Sequence, residues 1–371
     1  MKILLLSRYG HLGASSRYRF YQYLPYLRDR GFDITVSPLL DNAYIQRRYS
    51  GQRTSFQKVV LNYVQRISSL LQCDRYDLIW LEKEALPWIP PPLELLLYKS
   101  RVPYLVDYDD AIFHQYDQHP SRLVRSLLGK KIDRVMQRAA MVIAGNDYLA
   151  DRAFQSGAKK VEVLPTVIDL DRYPLVPGSE NEVFTIGWIG SPMTCDYLRE
   201  IHPALKEVCR DSTARVVAIG AKGLELEDVP LEIKPWSEAT EVQEIQQFDV
   251  GIMPLSDFPW EWGKCGLKLI QYMACACPVI GSPIGVNTKI INQGINGFQA
   301  SHLDEWIKAL QTFKNDSMLK QCMGKAGRAK IEEQYCLQVV APKLAQLLHQ
   351  AKEITDVRHF WFLGQGSTKK Y

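Results

Sequence analysis

The sequence predicts an α/β protein made of two Rossmann-like domains, each built on a doubly wound parallel sheet. Apolar runs of strand length alternate with stretches of helical period from end to end, which is the pattern of a parallel sheet covered by helices. The alternation stops between Pro165 and Glu182, a stretch containing Pro174, Pro177 and Gly178, and then restarts. The length of 371 residues fits two domains of roughly 150–200 residues, each able to bury a core.

Composition excludes several classes of protein. With 46% hydrophobic and 23% charged residues, the chain is neither disordered nor a disulfide scaffold. We find no apolar run long enough to span a membrane, and Met1–Leu6 predicts a buried strand rather than a signal peptide. The eight cysteines and seven histidines lack zinc-site spacing, so we expect reduced thiols, a cytoplasmic location, no metal and no cofactor.

The first half, residues 1–172, is predicted to be one domain of six strands. A helix is expected over Ser16–Arg30, kinked or divided at Pro25 and stopped by Gly31. Further helices are expected near 55–72, 90–99, 119–139 and 147–156. The predicted strands are Lys2–Ser7, Asp33–Leu39, Asp77–Leu81, Pro103–Asp107, Met141–Ala144 and Lys160–Leu164.

A linker is predicted at 173–182 and a second domain at 183–349, after which residues 350–371 are expected to return to the first domain. The predicted helices are Thr194–Arg210, Glu238–Gln247 and Gly266–Ala274, followed by helices from about 303 to 352. Asn296-Gly297 predicts a turn within Ile290–Phe298. The predicted strands are Val183–Ile189, Ala214–Ile219, Leu231–Ile233, Asp249–Met253 and Pro278–Gly281.

The charge is distributed unevenly between the halves. The net charge of the whole chain is only +4, which does not favour nucleic acid as a partner. Residues 1–175 carry 25 basic and 18 acidic side chains, a net of +7, whereas residues 176–371 carry 20 and 23, a net of −3. Either the first half faces an anionic ligand or surface, or the asymmetry arises by chance.

Two loops that follow strands at equivalent positions of the halves contain glycines. Gly10 and Gly13 follow the first strand, and Gly190 and Ser191 follow a strand of the second half. Such glycines let the backbone approach a ligand, and the next helix directs its positive amino end there. The spacing Gly-x-x-Gly does not meet the dinucleotide-binding fingerprint, and a plain turn is the alternative for each. We expect Gly13, Gly190 and Ser191 to contact a ligand in a cleft between facing loops.

The helix predicted over Gly266–Ala274 starts beside two lysines. Its free backbone amides, together with Lys264 and Lys268, would form a site for a diphosphate. Gln271 lies one turn further along, where its amide would bind a sugar diol or satisfy a buried helix position. The candidate donor-binding residues here are Lys264, Gly266, Leu267, Lys268 and Gln271.

The run from Gly266 to Ile280, followed by Gly-Ser-Pro-Ile-Gly at 281–285, resembles the donor-site signature of GT-B glycosyltransferases, specifically the retaining family four. Members of that family show a Glu, seven residues, a second Glu, then Ala-Met-Ala-x-Gly-x-Pro-Val-Ile. Segments 163–169, 187–192 and 296–298 are similar to other landmarks of the family, so the resemblance spans about residues 2–350. It implies a GT-B fold whose second domain binds a nucleotide-diphosphate sugar and whose first domain binds the acceptor.

Two acidic positions of that signature differ in this sequence. Gln271 stands where the family has its second Glu, which usually binds the ribose of the donor. The first Glu, which usually touches the donor sugar, aligns with Gly263. Glu261 lies two residues away and could take its place through a different path of the loop, so we treat it as a catalytic candidate.

Two basic positions of the family also differ. The Arg and Lys that steady the diphosphate align with Ser191 and Asp196, and neither is basic. We therefore hypothesise that Lys264, Lys268 or both supply this charge. Ala276 replaces a family glycine, which costs little provided that Ala276 avoids the left-handed conformation.

Three aspartates lie at the carboxyl end of the strand predicted at 103–107, in the run Asp-Tyr-Asp-Asp at 107–110. A carboxylate at the carboxyl end of a strand can orient an acceptor hydroxyl or take its proton. The family often has a histidine near this point. Asp109 and Asp110 are therefore catalytic candidates, and the alternative is that they cap a turn.

The stretch Ser121–Arg138 reads as a basic amphipathic helix. Such a helix can lie on an anionic membrane, or its apolar stripe can pack on the sheet of its own domain. Its apolar positions are Leu123, Leu127, Leu128, Ile132, Val135 and Met136.

These features together predict a glycosyltransferase that moves a sugar from a nucleotide-diphosphate sugar to an acceptor hydroxyl, with retention and without a metal. The acceptor is expected to be a glycan or a lipid-linked molecule of cell-surface glycan synthesis, with peripheral contact at the inner face of the membrane. Two alternatives remain open at this stage: a nucleotide-sugar epimerase of the same fold, and a non-catalytic protein that binds nucleotide sugars.

Overall fold

The chain folds into two compact units. The computed structural model describes residues 1–52, 55–90, 97, 102–176 and 182–364, with backbone only over 355–364. The first unit contains Met1–Pro165 and the chain from Val340 onward, and the second contains Thr166–Val339. Each unit is an α/β domain around one parallel sheet.

The sheet of the first unit has six strands in the order β2-β1-β3-β4-β5-β6, and every pair is parallel. The order reverses between β1 and β3, and in doubly wound sheets ligands bind outside the carboxyl ends of the strands at that point. The strands are β1 Lys2–Leu6, β2 Asp33–Val36, β3 Leu78–Glu82, β4 Tyr104–Tyr108, β5 Met141–Ala144 and β6 Val161–Val163.

Of the helices predicted in the first unit, those near 55–72 and 147–156 are confirmed as Phe56–Leu71 and Asp147–Gln155, whereas two others are divided. Pro25 divides the helix expected over Ser16–Arg30, and Gly31 ends its second part with a φ of +79°. The single helix expected near 119–139 is two helices, and most of the helix expected near 90–99 lies outside the described residues. The α-helices are Ala14–Arg19, Leu24–Asp29, Asn42–Ser50, Phe56–Leu71, His114–Asp117, Arg122–Leu128, Lys131–Arg138 and Asp147–Gln155.

The sheet of the second unit has six parallel strands in the order β12-β11-β10-β7-β8-β9. This is the strand order of dinucleotide-binding folds, with the reversal between β7 and β10. The strands are β7 Phe184–Ile189, β8 Ala214–Ile219, β9 Leu231–Lys234, β10 Val250–Met253, β11 Val279–Gly281 and β12 Gly297–Gln299.

Two local predictions for the second unit were wrong. The helix expected from Thr194 begins only at Tyr197 and is divided before Pro203. Gly297 does not form a hairpin turn with Asn296, because it is the first residue of β12, which pairs in parallel with β11. The helices are Tyr197–Glu200, His202–Cys209, Glu241–Ile245, Pro259–Trp262, Leu267–Ala274, Asn287–Ile290, Leu303–Asn315 and Ser317–Gln334, with Leu337–Gly364 running on into the first unit.

The first unit ends at Pro165, seven residues before the predicted end at 172, and resumes at Val340, ten residues before the predicted return at 350. Ile168 belongs to the second unit because its backbone hydrogen-bonds to Tyr335 and Leu337, at 3.1 and 2.8 Å. Tyr173, predicted to start the linker, is buried in the second unit. Of the predicted linker, residues 177–181 lie outside the described part of the chain, as do residues 365–371 of the predicted return segment.

Ala276 corrects one expectation derived from the family signature. Its φ is +55°, in the left-handed region, where a side chain costs roughly 1–2 kcal/mol relative to glycine. Here the chain turns back from helix Leu267–Ala274 towards β11, and the carbonyl oxygen of Ala276 contacts Gly324, where a Cβ would come within 2.0 Å. The turn is therefore tightly packed and strained at Ala276.

We expect Ala276→Gly to raise the free energy of unfolding by about 0.5–1 kcal/mol, because glycine adopts a positive φ without strain. Ala274→Gly is the matched control: it lies two residues earlier in a right-handed helix and should lower stability by about 1 kcal/mol. Urea unfolding of both variants measures the two changes. Equal losses in both would show that the turn at Ala276 is unstrained.

Candidate functional site

Helix Leu267–Ala274 begins at the carboxyl edge of the second sheet after a glycine in the left-handed conformation. Gly266 has a φ of +69°, and a Cβ at this position would lie 2.2 Å from Cδ1 of Ile290. The backbone conformation therefore favours glycine, and a side chain here would have to displace the end of the Ile290 side chain. The backbone amides of the first turn, at Gly266 and Leu267, carry the positive end of the helix dipole.

Tyr272 fixes this helix against the sheet. Gly251 in β10 makes room for its ring, since a Cβ there would lie 2.3 Å from the ring carbon Cδ2. The Tyr272 hydroxyl accepts the backbone N–H of Ile189 at 2.9 Å and donates to the carbonyl oxygen of Ile252 at 3.3 Å. The helix is thereby tied to the ends of β7 and β10, the two strands that flank the reversal of strand order.

The two lysines predicted to bind the diphosphate are half-buried beside aromatic rings. Lys264 Nζ lies 5.3 Å from the centre of the Trp260 ring, and Lys268 Nζ lies 5.2 Å from that of Trp188. Cation–π contacts of this length help to hold an ammonium group in place. Both lysines are thereby positioned near the amino end of helix Leu267–Ala274.

Gln271 belongs to a buried hydrogen-bond network. It is 4% exposed, and its Nε2 donates to the hydroxyl of Tyr173 at 3.1 Å. Arg328 holds Tyr173 from the other side by donating to its carbonyl oxygen at 2.7 Å, and it also donates to the carbonyl of Ala274 at the helix end. Tyr173 was assigned to the linker from sequence, so its contact with Gln271 was missed.

The loop at Gly190 and Ser191 follows β7, and it packs closely against Gly220, the residue that follows β8. A Cβ on Gly190 would lie 2.4 Å from the Trp188 ring, and a Cβ on Gly220 would lie 2.3 Å from the carbonyl oxygen of Gly190. Thr194 closes the loop, since its Oγ1 accepts the backbone N–H of Ser191 at 3.2 Å. The residues are placed at the carboxyl edge of the sheet, as the sequence predicted.

Glu261, the candidate replacement for the family's donor-sugar Glu, lies on the short helix Pro259–Trp262. Its side chain is 7% exposed and accepts a hydrogen bond from the hydroxyl of Tyr197. Tyr197 begins the first helix after the Gly190 loop. The Glu261 carboxylate is therefore oriented by Tyr197, a residue that follows the Gly190 loop at the same edge of the sheet.

In the first unit, Gly13 caps a helix of only six residues, Ala14–Arg19. A Cβ on Gly13 would lie 2.5 Å from Cβ of Tyr9, so the glycine is required by packing. The dipole of this helix contributes little to binding an anionic ligand near Gly13. The dipole sums over aligned peptide units, and this helix has only six residues.

The run Glu82-Lys83-Glu84 at the end of β3 was missed by the sequence analysis. Lys83 has a φ of +64° and is 5% exposed. Its Nζ lies 2.7 Å from Asp109 Oδ1 and 3.1 Å from Asp110 Oδ2, and it donates to Ser15 Oγ at 3.3 Å. The sequence did contain a signal for this site, because three consecutive charged residues directly follow the strand predicted at 77–81.

Lys83 changes the interpretation of the two catalytic candidates. Asp109 and Asp110 do not merely cap a turn, because they share a buried ammonium group that joins the segments after β3 and β4 to Ser15 in helix Ala14–Arg19. Burial by itself would lower the pKa of Lys83, but Asp109, Asp110 and Glu82 raise it well above its ordinary value. The lysine therefore stays charged.

Further ion pairs surround this cluster. Asp107 binds Arg19 through two hydrogen bonds of 2.8 and 3.0 Å, and burial raises the pKa of Asp107 to about 6 although Arg19 opposes the shift. Glu84 lies 2.7 Å from Lys131 Nζ. Burial also raises the pKa of Glu82, against the opposing effect of Lys83. Acidic side chains at the carboxyl edge of the first sheet are thus paired with buried basic side chains.

The described residues provide neither a cluster of metal ligands nor a disulfide. Within the described ranges, no three His, Cys, Asp or Glu side chains are grouped so that they could hold a metal ion. All eight cysteines are free thiols. Among the helices that the structure describes, none combines the length and apolar character needed to cross a bilayer.

Comparison with known proteins identifies the second unit. Residues 180–316 match the model of the family described as Glycosyl transferases group 1. This segment is a group 1 glycosyltransferase domain. It contains Gly190, Lys264, Gly266, Lys268 and Gln271, all at the carboxyl edge of the second sheet. No curated protein sequence matches the chain closely enough to count as a relative.

Solved structures extend the similarity to nearly the whole chain. HepE from Anabaena in complex with UDP is 16% identical with a TM-score of 0.69, covering 94% of this chain and 100% of HepE. Sucrose-phosphate synthase from Thermosynechococcus elongatus is 14% identical with a TM-score of 0.70, covering 94% and 98%. WaaG, a glycosyltransferase involved in lipopolysaccharide biosynthesis, is 14% identical with a TM-score of 0.65, covering 94% and 99%. The fold is GT-B, and residues 180–316 carry the match to the group 1 glycosyltransferases.

We expect Lys83→Met to lower the free energy of unfolding by about 3 kcal/mol, because it leaves Asp109 and Asp110 beside each other without their shared cation. Lys206→Met provides the control, since Lys206 pairs with Asp228 at the same 2.7 Å but with half or more of each side chain exposed. That exposed pair should contribute little. Urea unfolding at neutral pH measures both, and similar small losses would show that the buried cluster is not stabilising.

Proposed function

We propose that the protein transfers a sugar from a nucleotide-diphosphate sugar to the hydroxyl of a glycan or lipid-linked acceptor, with retention and without a metal. The second unit binds the donor and the first unit binds the acceptor. The observation that carries the proposal is helix Leu267–Ala274, whose amino end follows a glycine in the left-handed conformation and lies between two half-buried lysines.

Breaking the bond from sugar to diphosphate leaves a nucleoside diphosphate whose developing charge must be neutralised. The backbone amides at Gly266 and Leu267 would donate to its oxygens, and Lys264 and Lys268 would supply full charges. Such donors are already oriented before the reaction, so they lower the barrier without reorganising. Lys264 and Lys268 thereby do the work of the family's Arg and Lys.

Gln271 stands where the family's ribose-binding Glu is expected, and its amide nitrogen is held by Tyr173. This hydrogen bond orients the side-chain oxygen, which would accept from a ribose hydroxyl as the family's carboxylate does. Gly190 and Ser191 would contact the donor through their backbone. Glu261, oriented by Tyr197, would accept hydrogen bonds from the sugar hydroxyls.

In the first unit, Asp109 and Asp110 would orient the acceptor hydroxyl and receive its proton, and Gly13 would let the backbone approach the substrate. Lys83, 2.7 Å from Asp109 Oδ1 and 3.1 Å from Asp110 Oδ2, would hold both carboxylates in position for this role. The acceptor fits cell-surface glycan or glycolipid synthesis, and we propose that the enzyme works in the cytoplasm and at the inner face of the membrane.

UDP-glucose is the first donor to test and UDP the first nucleotide to titrate, since the HepE crystals contain UDP or UDP-glucose. We expect Lys264→Ala and Lys268→Ala each to weaken UDP binding about tenfold, because each variant loses one charge-assisted contact. The control is Lys314→Ala. Lys314 lies on helix Leu303–Asn315 of the same unit, where it pairs with Asp211, and its removal should leave UDP affinity unchanged.

Isothermal titration calorimetry gives these affinities. Unchanged UDP affinity in both Lys264→Ala and Lys268→Ala would contradict their role at the diphosphate. Failure of the native protein to bind UDP would be followed by a thermal-shift screen of other nucleotides, because a ligand that binds the folded state raises the unfolding temperature. If none of them bound, the donor proposal would be overturned.

Asp109→Asn should lower kcat by a factor of about 10²–10⁴ with little change in the KM for donor, because the amide cannot take the acceptor proton. The measurement is nucleotide release with the accepted donor over a panel of glycan and lipid-linked acceptors. Full activity in the variant would remove Asp109 from the reaction. Conversion of donor without acceptor into an epimer would favour the epimerase alternative.

A further inference from the structure

Helix Phe56–Leu71 of the first unit carries apolar side chains on its outer surface as well as on its inner one. Its inner surface buries Arg66, which donates to the carbonyl oxygens of Ser7 and Ser37 at 2.5 and 2.9 Å, and Leu70. The exposed apolar side chains are Phe56 at 79%, Val60 at 44%, Leu61 at 55%, Val64 at 56% and Leu71 at 64%.

Four of these residues form one continuous stripe. At about 100° of rotation per residue, Phe56, Val60, Val64 and Leu71 lie within an arc of about 80°. The half-buried Ile67 falls in the same arc. Monomeric soluble proteins rarely expose a run of large apolar side chains along one helix face, so the stripe indicates a binding surface.

The charge around this helix indicates what binds there. Residues 42–73 contain five basic residues and no aspartate or glutamate, but Arg66 is buried and Lys58 pairs with the neighbouring Asp41 at 2.8 Å. Arg47 and Arg48 occupy the last turn of the preceding helix, Asn42–Ser50. An apolar stripe next to this pair of arginines is complementary to an anionic lipid surface.

The stretch that the sequence predicted for this role is less suitable. Ser121–Arg138 is divided into two helices, and the second is turned inward, with Ile132, Val135 and Met136 buried. Its Lys131 is also buried, paired with Glu84. Only Leu123 and Leu127 of this stretch remain exposed as large apolar residues.

We propose that helix Phe56–Leu71 lies in the surface of an anionic membrane, with Phe56, Val60, Val64 and Leu71 inserted among the lipids. Arg47 and Arg48 would contact the lipid headgroups. The proposal rests on the proposed function and names the surface by which the enzyme would meet a membrane-held acceptor. Membrane binding is tested without sugar transfer, so the membrane proposal and the transferase proposal can fail independently.

The experiment is flotation of the full chain with lipid vesicles. We expect binding to phosphatidylcholine vesicles that contain phosphatidylglycerol, little binding to pure phosphatidylcholine, and release by salt. Val60→Ser with Val64→Ser should weaken binding roughly tenfold or more, because the apolar area inserted is lost. Arg47→Gln with Arg48→Gln should weaken it about fivefold for each charge removed.

Leu123→Ser with Leu127→Ser is the matched control, since it removes two exposed leucines from the other candidate helix. It should leave vesicle binding unchanged, and circular dichroism should show every variant folded because all the altered side chains reach solvent. Absence of vesicle binding by the native chain would overturn the proposal, as would equal loss in the control. A native dimer that Val60→Ser with Val64→Ser converts to monomers would show that a second copy covers the stripe instead.

Discussion

The close contact between Tyr272 and Gly251 sets the position of helix Leu267–Ala274, and the proposed donor chemistry depends on that position. Without a side chain on Gly251, the tyrosine ring reaches the sheet and its hydroxyl joins the ends of two strands. The amino end of the helix is thereby held at the carboxyl edge of the sheet, beside the point where strand order reverses. Backbone amides can stabilise a diphosphate only if they are held in place before it arrives.

The two units use charge in different ways at equivalent edges of their sheets. The second unit has a net negative charge, yet it places Lys264 and Lys268 beside the amino end of a helix. The first unit has a net positive charge, yet it places Asp109 and Asp110 at its edge, paired with Lys83. Part of the excess basic charge of the first unit is carried by residues 42–73, a segment that does not include Lys83, Asp109 or Asp110. The charge of a whole domain therefore does not describe the charge of its site.

Residues that the sequence analysis misjudged owe their roles to distant partners. Lys83 could be recognised only as part of a charged run, because Asp109 and Asp110 lie more than twenty positions further along. Tyr173 stood in a stretch that resembled a linker, and its contact with Gln271 joins residues nearly a hundred positions apart. Helix Ser121–Arg138 had the right periodicity for one amphipathic helix, but periodicity does not say which face another part of the chain will cover.

The sequence by itself determined the fold class, the order of strands and helices, and the candidate donor residues around Gly266. These follow from local patterns, because the alternation of apolar residues and the positions of glycine and proline act over a few neighbouring residues. Only the tertiary structure decided the partners of the charged side chains, the left-handed turn at Ala276 and the helix whose apolar face stays exposed. Burial and pairing depend on residues brought together from far along the chain, and no local pattern records which ones will meet.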